Sequence, residues 1–380
     1  MLFLQFMRFH EIIGQQSVKK RLINSVNENR VSHAQLFYGP EGCGNLPLAL
    51  AYAQYLVCEK PLDDDSCGAC QACRKMEKLV HPDVTFSYPI ASKVSKPRSS
   101  DYAEEWRKAI VANPYIDYND WVETLDIENK QGIISAEECN DIIRRLSYKS
   151  VEAPYRVVIV WYPERLYHAA APKLLKILEE PPSQTVFLLV ASNVEQILAT
   201  ILSRTQLVKI NPISDDELSH ALQTRHELAA DVAKRITHRA NGSYHEALMQ
   251  LDHDAAVEDD AAIFLRWMRY CLKANVKGIS DFAVEMAAHT REKQKLFLQS
   301  ALFLARECVL INYGDQSMIR LDGKDLESYR RFAPFVNRNN AEQFAGELNR
   351  AHFHIERNAN SKILFTDLSF TINRLLAVNG

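Results

Sequence analysis

Residues 35–46 read Gln35-Leu36-Phe37-Tyr38-Gly39-Pro40-Glu41-Gly42-Cys43-Gly44-Asn45-Leu46. The apolar run that ends at Tyr38 predicts a buried strand, and apolar residues at helical spacing predict a helix over 48–57. Three glycines between a strand and a helix are typical of a phosphate-binding loop, in which backbone N–H groups face the phosphates at the helix N-terminus. This stretch therefore predicts an α/β fold built around a P-loop.

The loop lacks the side chains that a working phosphate-binding loop uses. The Walker A motif requires glycine, four residues, glycine, lysine, and then serine or threonine. Gly39, Gly42 and Gly44 preserve the glycine pattern, but Asn45 stands at the lysine position and Leu46 at the hydroxyl position. The lysine supplies positive charge to the outer phosphates and the hydroxyl binds Mg²⁺, and neither replacement can do so. The loop is predicted to keep its shape without its chemistry.

A second strand also lacks residues that ATP hydrolysis requires. Residues 157–160 read VVIV and run into Trp161-Tyr162-Pro163-Glu164. A hydrolysing P-loop enzyme ends this strand in an acidic pair that holds Mg²⁺ and polarises water. The loop alone is equally compatible with an ordinary glycine-rich turn. Loss at two separate positions indicates instead a P-loop protein that no longer hydrolyses ATP.

The remaining sequence predicts a parallel sheet followed by helices. Residues 156–161 and 185–191 are runs rich in Val, Ile and Leu, which suit strands that helices cover on both faces. Residues 84–130 interrupt the pattern with prolines and then with the aromatics Trp106, Tyr115, Tyr118 and Trp121, which predicts an insertion partly ordered by its aromatics. The pattern ends at Asn211-Pro212, and the chain from Asp215 onward is predicted to be helical.

Composition and charge limit the class of protein. The 380 residues are 47% hydrophobic and 24% charged, which is ordinary for a globular protein of two or three domains. A net charge of −3 gives no overall basic field, so any contact with DNA is expected to be local or within an assembly. We find no secretory signal and no apolar run near the ~20 residues that span a bilayer, and expect a cytoplasmic protein without a membrane partner.

Four of the eight cysteines lie close together. Cys58, Cys67, Cys70 and Cys73 have the spacing C-x8-C-x2-C-x2-C. Four thiolates in a tetrahedral array suit Zn²⁺, and the two-residue gaps let neighbouring sulfurs face one ion. A set of free buried thiols is the alternative. Since sulfur fills all four positions, the predicted zinc site is closed and structural.

Several motifs resemble one family. The segments FHEIIGQ (9–15) and HAQLFYGP (33–40) resemble the opening of bacterial DNA polymerase III clamp-loader ATPases. The run AAAPKLLKILEEPP (169–182) is similar to the family's most distinctive stretch, and ILSRTQ (201–206) is close to its Ser-Arg-Cys motif. RNAN (357–360), followed by an apolar helix, resembles the family's C-terminal collar. The cysteine cluster lies where this family keeps its zinc module.

The resemblance implies an AAA+ architecture in three parts. We expect a P-loop core over 1–212 with a zinc module at 58–73 and the insertion at about 84–130. The core is followed by a helical lid over 213–255 and a helical collar over 256–380. The collar is expected to join subunits into a pentameric ring. In the lid, residues 242–245 resemble the sensor-2 stretch, with His245 in place of the usual arginine.

The double loss favours the delta-prime type within this family, because gamma/tau-type members keep both ATP motifs. The resemblance then implies partners: gamma/tau and delta subunits, the sliding clamp, and primer-template DNA within the assembly. It also implies that Arg204 acts as an arginine finger on the ATP of a neighbouring subunit. A guanidinium suits that role because it is always charged and binds phosphate oxygens in a planar fork. An ordinary salt-bridging surface arginine is the alternative interpretation.

Two further functions remain as alternatives. One is an ATP-hydrolysing gamma/tau-type subunit with an atypical site, which Asn45, Leu46, Trp161 and Tyr162 disfavour. The other is a zinc-dependent DNA-binding or regulatory module, which the net charge of −3 disfavours. Ser192 and Asn193, at the sensor-1 position, are interpreted as polar residues that cap a strand end.

Overall fold

The structure is a computed structural model that describes residues 8–90, 98–125, 132–167, 170–252, 260–315, 318–321, 323–357 and 359–377. It divides into two compact units, Met1–Leu251 and Asp252–Gly380. The predicted boundary between core and lid at 212/213 lies inside the first unit. The predicted boundary between lid and collar at 255/256 lies outside the described residues.

The first unit contains a parallel sheet. Its strands are β1 (Ala34–Tyr38), β2 (Val84–Ser87), β3 (Arg156–Trp161), β4 (Thr185–Ala191) and β5 (Gln206–Lys209). Their order is β2-β3-β4-β1-β5, and every neighbouring pair is parallel. The predicted strands in this unit are confirmed, with β1 beginning one residue earlier. β2 and β5 were not predicted.

Helices surround the sheet and follow it. They are α1 (Gln16–Asn27), α2 (Asn45–Val57), α3 (Gln71–Glu77), α4 (Ala103–Ala112), α5 (Tyr118–Thr124), α6 (Ala136–Leu146), α7 (Ala171–Glu179), α8 (Ala199–Leu202), α9 (Asp215–His226), α10 (Ala230–Ala240) and α11 (Tyr244–Asp252). Every residue of α2 is buried, which explains why its sequence is apolar on all sides. Helix α2, which begins at the end of the glycine-rich loop, therefore passes through the core.

The sheet is covered on both faces, as predicted. Ile159 and Leu188 pack in a cluster with residues of α1 and α2. Their neighbours Val160 and Leu189 pack in a second cluster with residues of α6, α7 and α8. Side chains of a strand alternate between faces, so both faces must be apolar when helices cover both. The predicted α/β fold class is confirmed.

The insertion begins later than predicted and packs on the core. Val84–Ser87 forms strand β2 and pairs with β3, so the start of the predicted 84–130 insertion belongs to the sheet. Residues 91–97 and 126–130 of it lie outside the described residues. Trp106 is buried between Tyr88, with ring centroids 4.1 Å apart, and Trp161, at 4.9 Å. The insertion's aromatics thus join the main core.

Helices α9 to α11 share a small core of their own. Leu218, Leu222 and Ile236 are buried there together with Tyr244 at the start of α11. Tyr115 from the insertion also enters this cluster. The inserted segment is therefore in contact with the region predicted as the lid.

The second unit is helical in its described residues. Its helices are α12 (Asp260–Leu272), α13 (Val276–Ala288), α14 (Arg291–Tyr313), α15 (Gly323–Phe332), α16 (Ala341–Glu356) and α17 (Ser361–Ala377). Trp267 lies at its centre, stacked on Phe282 at 5.1 Å and close to Phe297 at 5.6 Å. Its indole N–H donates to Ser369 Oγ at 2.8 Å, so the buried polar atom is satisfied.

One helix corrects an expectation about apolar runs. By length and composition alone, Lys293–Tyr313 is long and apolar enough to cross a membrane, where the sequence analysis found no such run. This is weak evidence, because core helices of soluble proteins pass the same test. Phe297, Ala301 and Cys308 of this helix are buried in the core of the second unit.

Candidate functional site

The loop between β1 and α2 has the shape that its glycines predict. Gly42 and Gly44 have φ of +71° and +103°, a region that residues with a Cβ rarely adopt. Gly39 lies against the residue that directly follows β5, since an added Cβ would come within 2.3 Å of the Ile210 carbonyl oxygen. Strand, loop and helix thus follow one another as in a phosphate-binding site.

Asn45 directs its amide nitrogen at backbone carbonyl oxygens of the loop and of the end of β4. Its Nδ2 donates to the carbonyl oxygen of Gly39 at 2.7 Å and lies 3.3 Å from those of Pro40 and Ala191. These bonds tie the loop to the end of β4. Leu46 is buried at 3% exposure. The two replaced positions therefore serve packing and loop closure and place no cation in the cleft.

Aromatic residues stand at the end of β3 where an acidic pair would be. Trp161 and Tyr162 are buried, and the Tyr162 hydroxyl donates to Glu41 Oε1 at 2.7 Å. Glu164 follows and accepts from the Ser192 N–H and hydroxyl at 2.9 and 3.0 Å. The Asn193 side chain accepts from the Glu195 N–H at 2.9 Å and so caps a helical turn, whereas the sequence analysis interpreted it as a cap on a strand end.

Little space remains in the cleft. The cavity beside the loop has a volume of about 20 Å³ and is lined by Gly42, Gly44, Trp161 and Tyr162 together with residues 114–116 of the insertion. This is room for about one water molecule, whereas pockets for small ligands measure ~300–1,000 Å³. Sequence analysis left the insertion without a role. Its run of aromatics was the available signal that it packs on something apolar.

Acidic groups gather around His245 beside this cavity. His245 Nδ1 lies 3.4 Å from Asp120 Oδ2, and its Nε2 lies 3.9 Å from Asp117 Oδ2. The three side chains could together hold a metal ion. Burial, and then the charge of Asp117, raise the pKa of Glu41 to about 7 and that of Asp120 to about 6. These carboxyls were missed by sequence analysis because they come together only in the fold.

Arg204 lies between α8 and β5 with about a third of its side chain exposed. Its Nε donates to Glu179 Oε1 at 2.7 Å, and its Nη2 also contacts that oxygen. Its Nη1 donates to the Thr200 carbonyl oxygen at 2.9 Å. Within this chain Arg204 is thus a salt-bridged surface residue, which was the alternative interpretation.

The four cysteines form a compact cluster. The Sγ atom of Cys58 lies 3.6 Å from those of Cys67 and Cys73 and 4.0 Å from that of Cys70. A tetrahedron with Zn–S bonds of ~2.3 Å places its sulfurs ~3.8 Å apart. The N–H groups of Cys67, Cys70 and Cys73 each lie 3.4 Å from a sulfur of the cluster, an arrangement that favours thiolates. The residues present fit a Zn²⁺ ion.

Known proteins similar to this chain are subunits of one replication enzyme. DNA polymerase III subunit gamma of Buchnera aphidicola is 25% identical over 64% of this chain and 58% of its own length. Subunit gamma/tau of Mycobacterium bovis is 29% identical over 52% of this chain and 27% of its own length. Subunit delta' of Bacillus subtilis is 23% identical over 80% of both chains. The matched region thus spans only part of the gamma and gamma/tau relatives.

Among solved structures, the chain matches two from Thermotoga maritima at low TM-score. One is a DNA polymerase III gamma subunit-related protein, with a TM-score of 0.42 and 14% identity over 94% of this chain and 99% of that one. The other is the RuvB Holliday junction branch migration motor, with a TM-score of 0.39 and 15% identity over 66% and 65%. The family described as "DNA polymerase III, delta subunit" matches residues 14–214, more than half of the sequence. The chain therefore belongs to this family of AAA+ clamp-loader subunits.

Proposed function

We propose that the chain is a delta-prime-type clamp-loader subunit that does not hydrolyse ATP. The observation that carries this proposal is the filled cleft, a cavity of about 20 Å³ with Trp161 and Tyr162 where Mg²⁺ would need oxygen ligands. Asn45 adds no charge to replace the missing lysine. The isolated chain is expected to show no ATPase activity, and a titration with ATP and Mg²⁺ distinguishes it from a gamma/tau-type subunit.

Arg204 is the proposed arginine finger for the ATP of a neighbouring gamma/tau subunit. Glu179 neutralises it within the chain, with side-chain exposures of 35% and 46% for the pair. Solvent-accessible pairs of this kind contribute ~0–1 kcal/mol, so exchanging Glu179 for a triphosphate costs little. A triphosphate carries more negative charge than one carboxylate and offers several oxygens to the guanidinium fork.

The proposed partners follow from the family. The relatives are named as gamma, tau and delta' subunits, which supports assembly with gamma/tau and delta subunits. Such an assembly would load the sliding clamp on primer-template DNA. The net charge of −3 supports DNA contact within the complex and not by the chain alone.

A structural Zn²⁺ ion is proposed for Cys58, Cys67, Cys70 and Cys73. The segment between these cysteines also contacts the first described residues of the chain. Asp65, buried within it, accepts from the N–H groups of Phe9 and His10 at 3.0 Å each. Four thiolate ligands leave no open position on the ion, which supports a role in folding and not in catalysis.

Arg204→Ala in a reconstituted loader tests the proposed function. Hydrolysis at the neighbouring site is expected to slow by ~10³-fold in single turnover, the usual contribution of an arginine finger. Arg235→Ala is the matched control, since Arg235 is an exposed arginine paired with Asp231 at 3.1 Å. Hydrolysis by the Arg204→Ala loader at the control rate would contradict the proposal.

A further inference from the structure

Residues 113–120 of the insertion, here called the plug segment, lie in the cleft. Tyr115 is 2% exposed, and its hydroxyl accepts from the Ile13 N–H at 3.1 Å. A Cβ placed on Gly44 would lie 3.6 Å from Tyr115 Cε1. The ring therefore lies beside the loop, and Tyr115 and Gly44 line the same small cavity.

The plug segment also contacts the start of α11. The rings of Tyr115 and Tyr244 meet edge to face with centroids 4.9 Å apart. The imidazole of His245, 7% exposed, lies between the carboxylates of Asp117 and Asp120. The Tyr244 N–H donates to the Gly42 carbonyl oxygen at 2.9 Å, so α11, loop and plug segment meet at one point.

A third set of contacts joins the plug segment to the end of β3. The Tyr118 N–H donates to the Tyr162 hydroxyl at 3.0 Å, and that hydroxyl donates to Glu41. Arg165 lies over the Tyr118 ring at 4.2 Å. Since β3, the loop and α11 all contact residues 113–120, this one segment connects the elements that surround a nucleotide in a P-loop protein.

The segment is held firmly on both sides. Before it, Trp106 of α4 packs in the buried aromatic cluster with Tyr88 and Trp161. After it, the Trp121 indole N–H of α5 donates to the Pro89 carbonyl oxygen at 2.8 Å. Buried tryptophans on both flanks make the plug segment part of the core and not a flap resting on it.

We propose that the plug segment is a built-in ligand of the nucleotide cleft, which holds α9–α11 against the sheet without nucleotide. Tyr115 lines the cleft beside the loop, where a cavity of only about 20 Å³ remains. Asp117 and Asp120 present negative charge to His245, as a phosphate group would to a cationic side chain. The arrangement of α11 against the sheet is thereby fixed by the chain itself, and ATP has no place to enter.

Hydrogen exchange of the full-length chain tests this inference. In Asp117→Asn/Asp120→Asn, amides of residues 242–252 are expected to exchange at least about tenfold faster. Asparagine still caps α5, where Asp117 accepts from the Asp120 N–H at 2.9 Å, so the variant removes charge and keeps the helix start. Glu104→Gln is the matched control, because Glu104 lies on α4 of the same insertion and pairs with Lys108.

Two further measurements complete the test. His245→Ala should raise the same exchange, and His245→Arg should restore the protection because a guanidinium can pair with both carboxylates. ATP with Mg²⁺ at millimolar concentration should leave the exchange of the unmodified chain unchanged. Control-level exchange in the double asparagine variant, or slower exchange of 242–252 on adding ATP, would overturn the inference. Both measurements use the isolated chain, whereas the test of Arg204 uses ATP hydrolysis by the reconstituted loader. A negative result in one experiment is therefore distinct from a negative result in the other.

Discussion

Glu41→Gln is expected to stabilise the protein at high pH. Glu41 is exposed as a residue, but its carboxylate accepts from the buried Tyr162 hydroxyl, and burial of the carboxyl group and then the charge of Asp117 raise its pKa from 4.5 to about 7. A carboxyl with a raised pKa in the folded state binds its proton more tightly there than in the unfolded chain. Glu41 therefore destabilises the fold progressively as pH rises from about 4.5 through 7. At 1.36 kcal/mol per pKa unit the full shift sets an upper limit of about 3 kcal/mol, and solvent screening at this exposed residue lowers the expected difference above pH 7 to about 1 kcal/mol.

Urea unfolding between pH 5 and pH 8 measures this effect. Tryptophan fluorescence reports on the first unit, which contains Trp106, Trp121 and Trp161 of the four tryptophans. Glutamine keeps the acceptor for the Tyr162 hydroxyl and cannot ionise, so the variant should gain stability over the unmodified chain from pH 5 to pH 8. Glu104→Gln, which alters an exposed carboxylate, should show no such gain. An equal pH slope for Glu41→Gln and the unmodified chain would refute the assigned burial of this carboxyl group.

Further predictions concern the metal, the loop and the arginine. Cys73→Ser should lower bound zinc below one ion per chain by elemental analysis and lower the melting temperature, whereas zinc-free unmodified protein would refute the assignment. Asn45→Lys/Leu46→Thr should restore neither ATP binding nor hydrolysis, since Tyr115 still lines the narrow cleft; measurable turnover would contradict this. In the reconstituted loader, Glu179→Gln should leave ATP hydrolysis at or above its unmodified rate because it frees Arg204, and a loss comparable to Arg204→Ala would argue that Glu179 itself is needed.

The strands that sequence analysis predicted are those buried on both faces. Arg156–Trp161 and Thr185–Ala191 carry continuous apolar runs, and both have the predicted bounds. Val84–Ser87 and Gln206–Lys209 were missed because each is a four-residue edge strand with partly exposed positions. An edge strand needs fewer apolar residues, so its pattern differs little from that of a loop.

The sequence by itself determined which side chains stand in the loop and at the end of β3. The loop glycines are a local pattern that predicts the shape of the loop. Asn45, Leu46 and the aromatic end of β3 are local patterns too, and they predict without reference to the fold that the lysine, the hydroxyl and the acidic pair are missing. The spacing of Cys67, Cys70 and Cys73 likewise predicted a cluster, because residues three positions apart are close in a turn, and the turn-forming residues after Cys58 allow the chain to fold back to it.

Only the tertiary structure decided what fills the cleft. Tyr115 lies far along the chain from Gly44, and His245 lies farther still from Asp117. The periodicity of a helix or strand relates only nearby residues, so it could not predict that these pairs meet. Hydrophobic patterns report that a residue is buried but not against which partner, because burial is non-directional. The insertion's role as an occupant of the cleft, and the partner of Arg204 at Glu179, are properties of contacts that form only when the chain is folded.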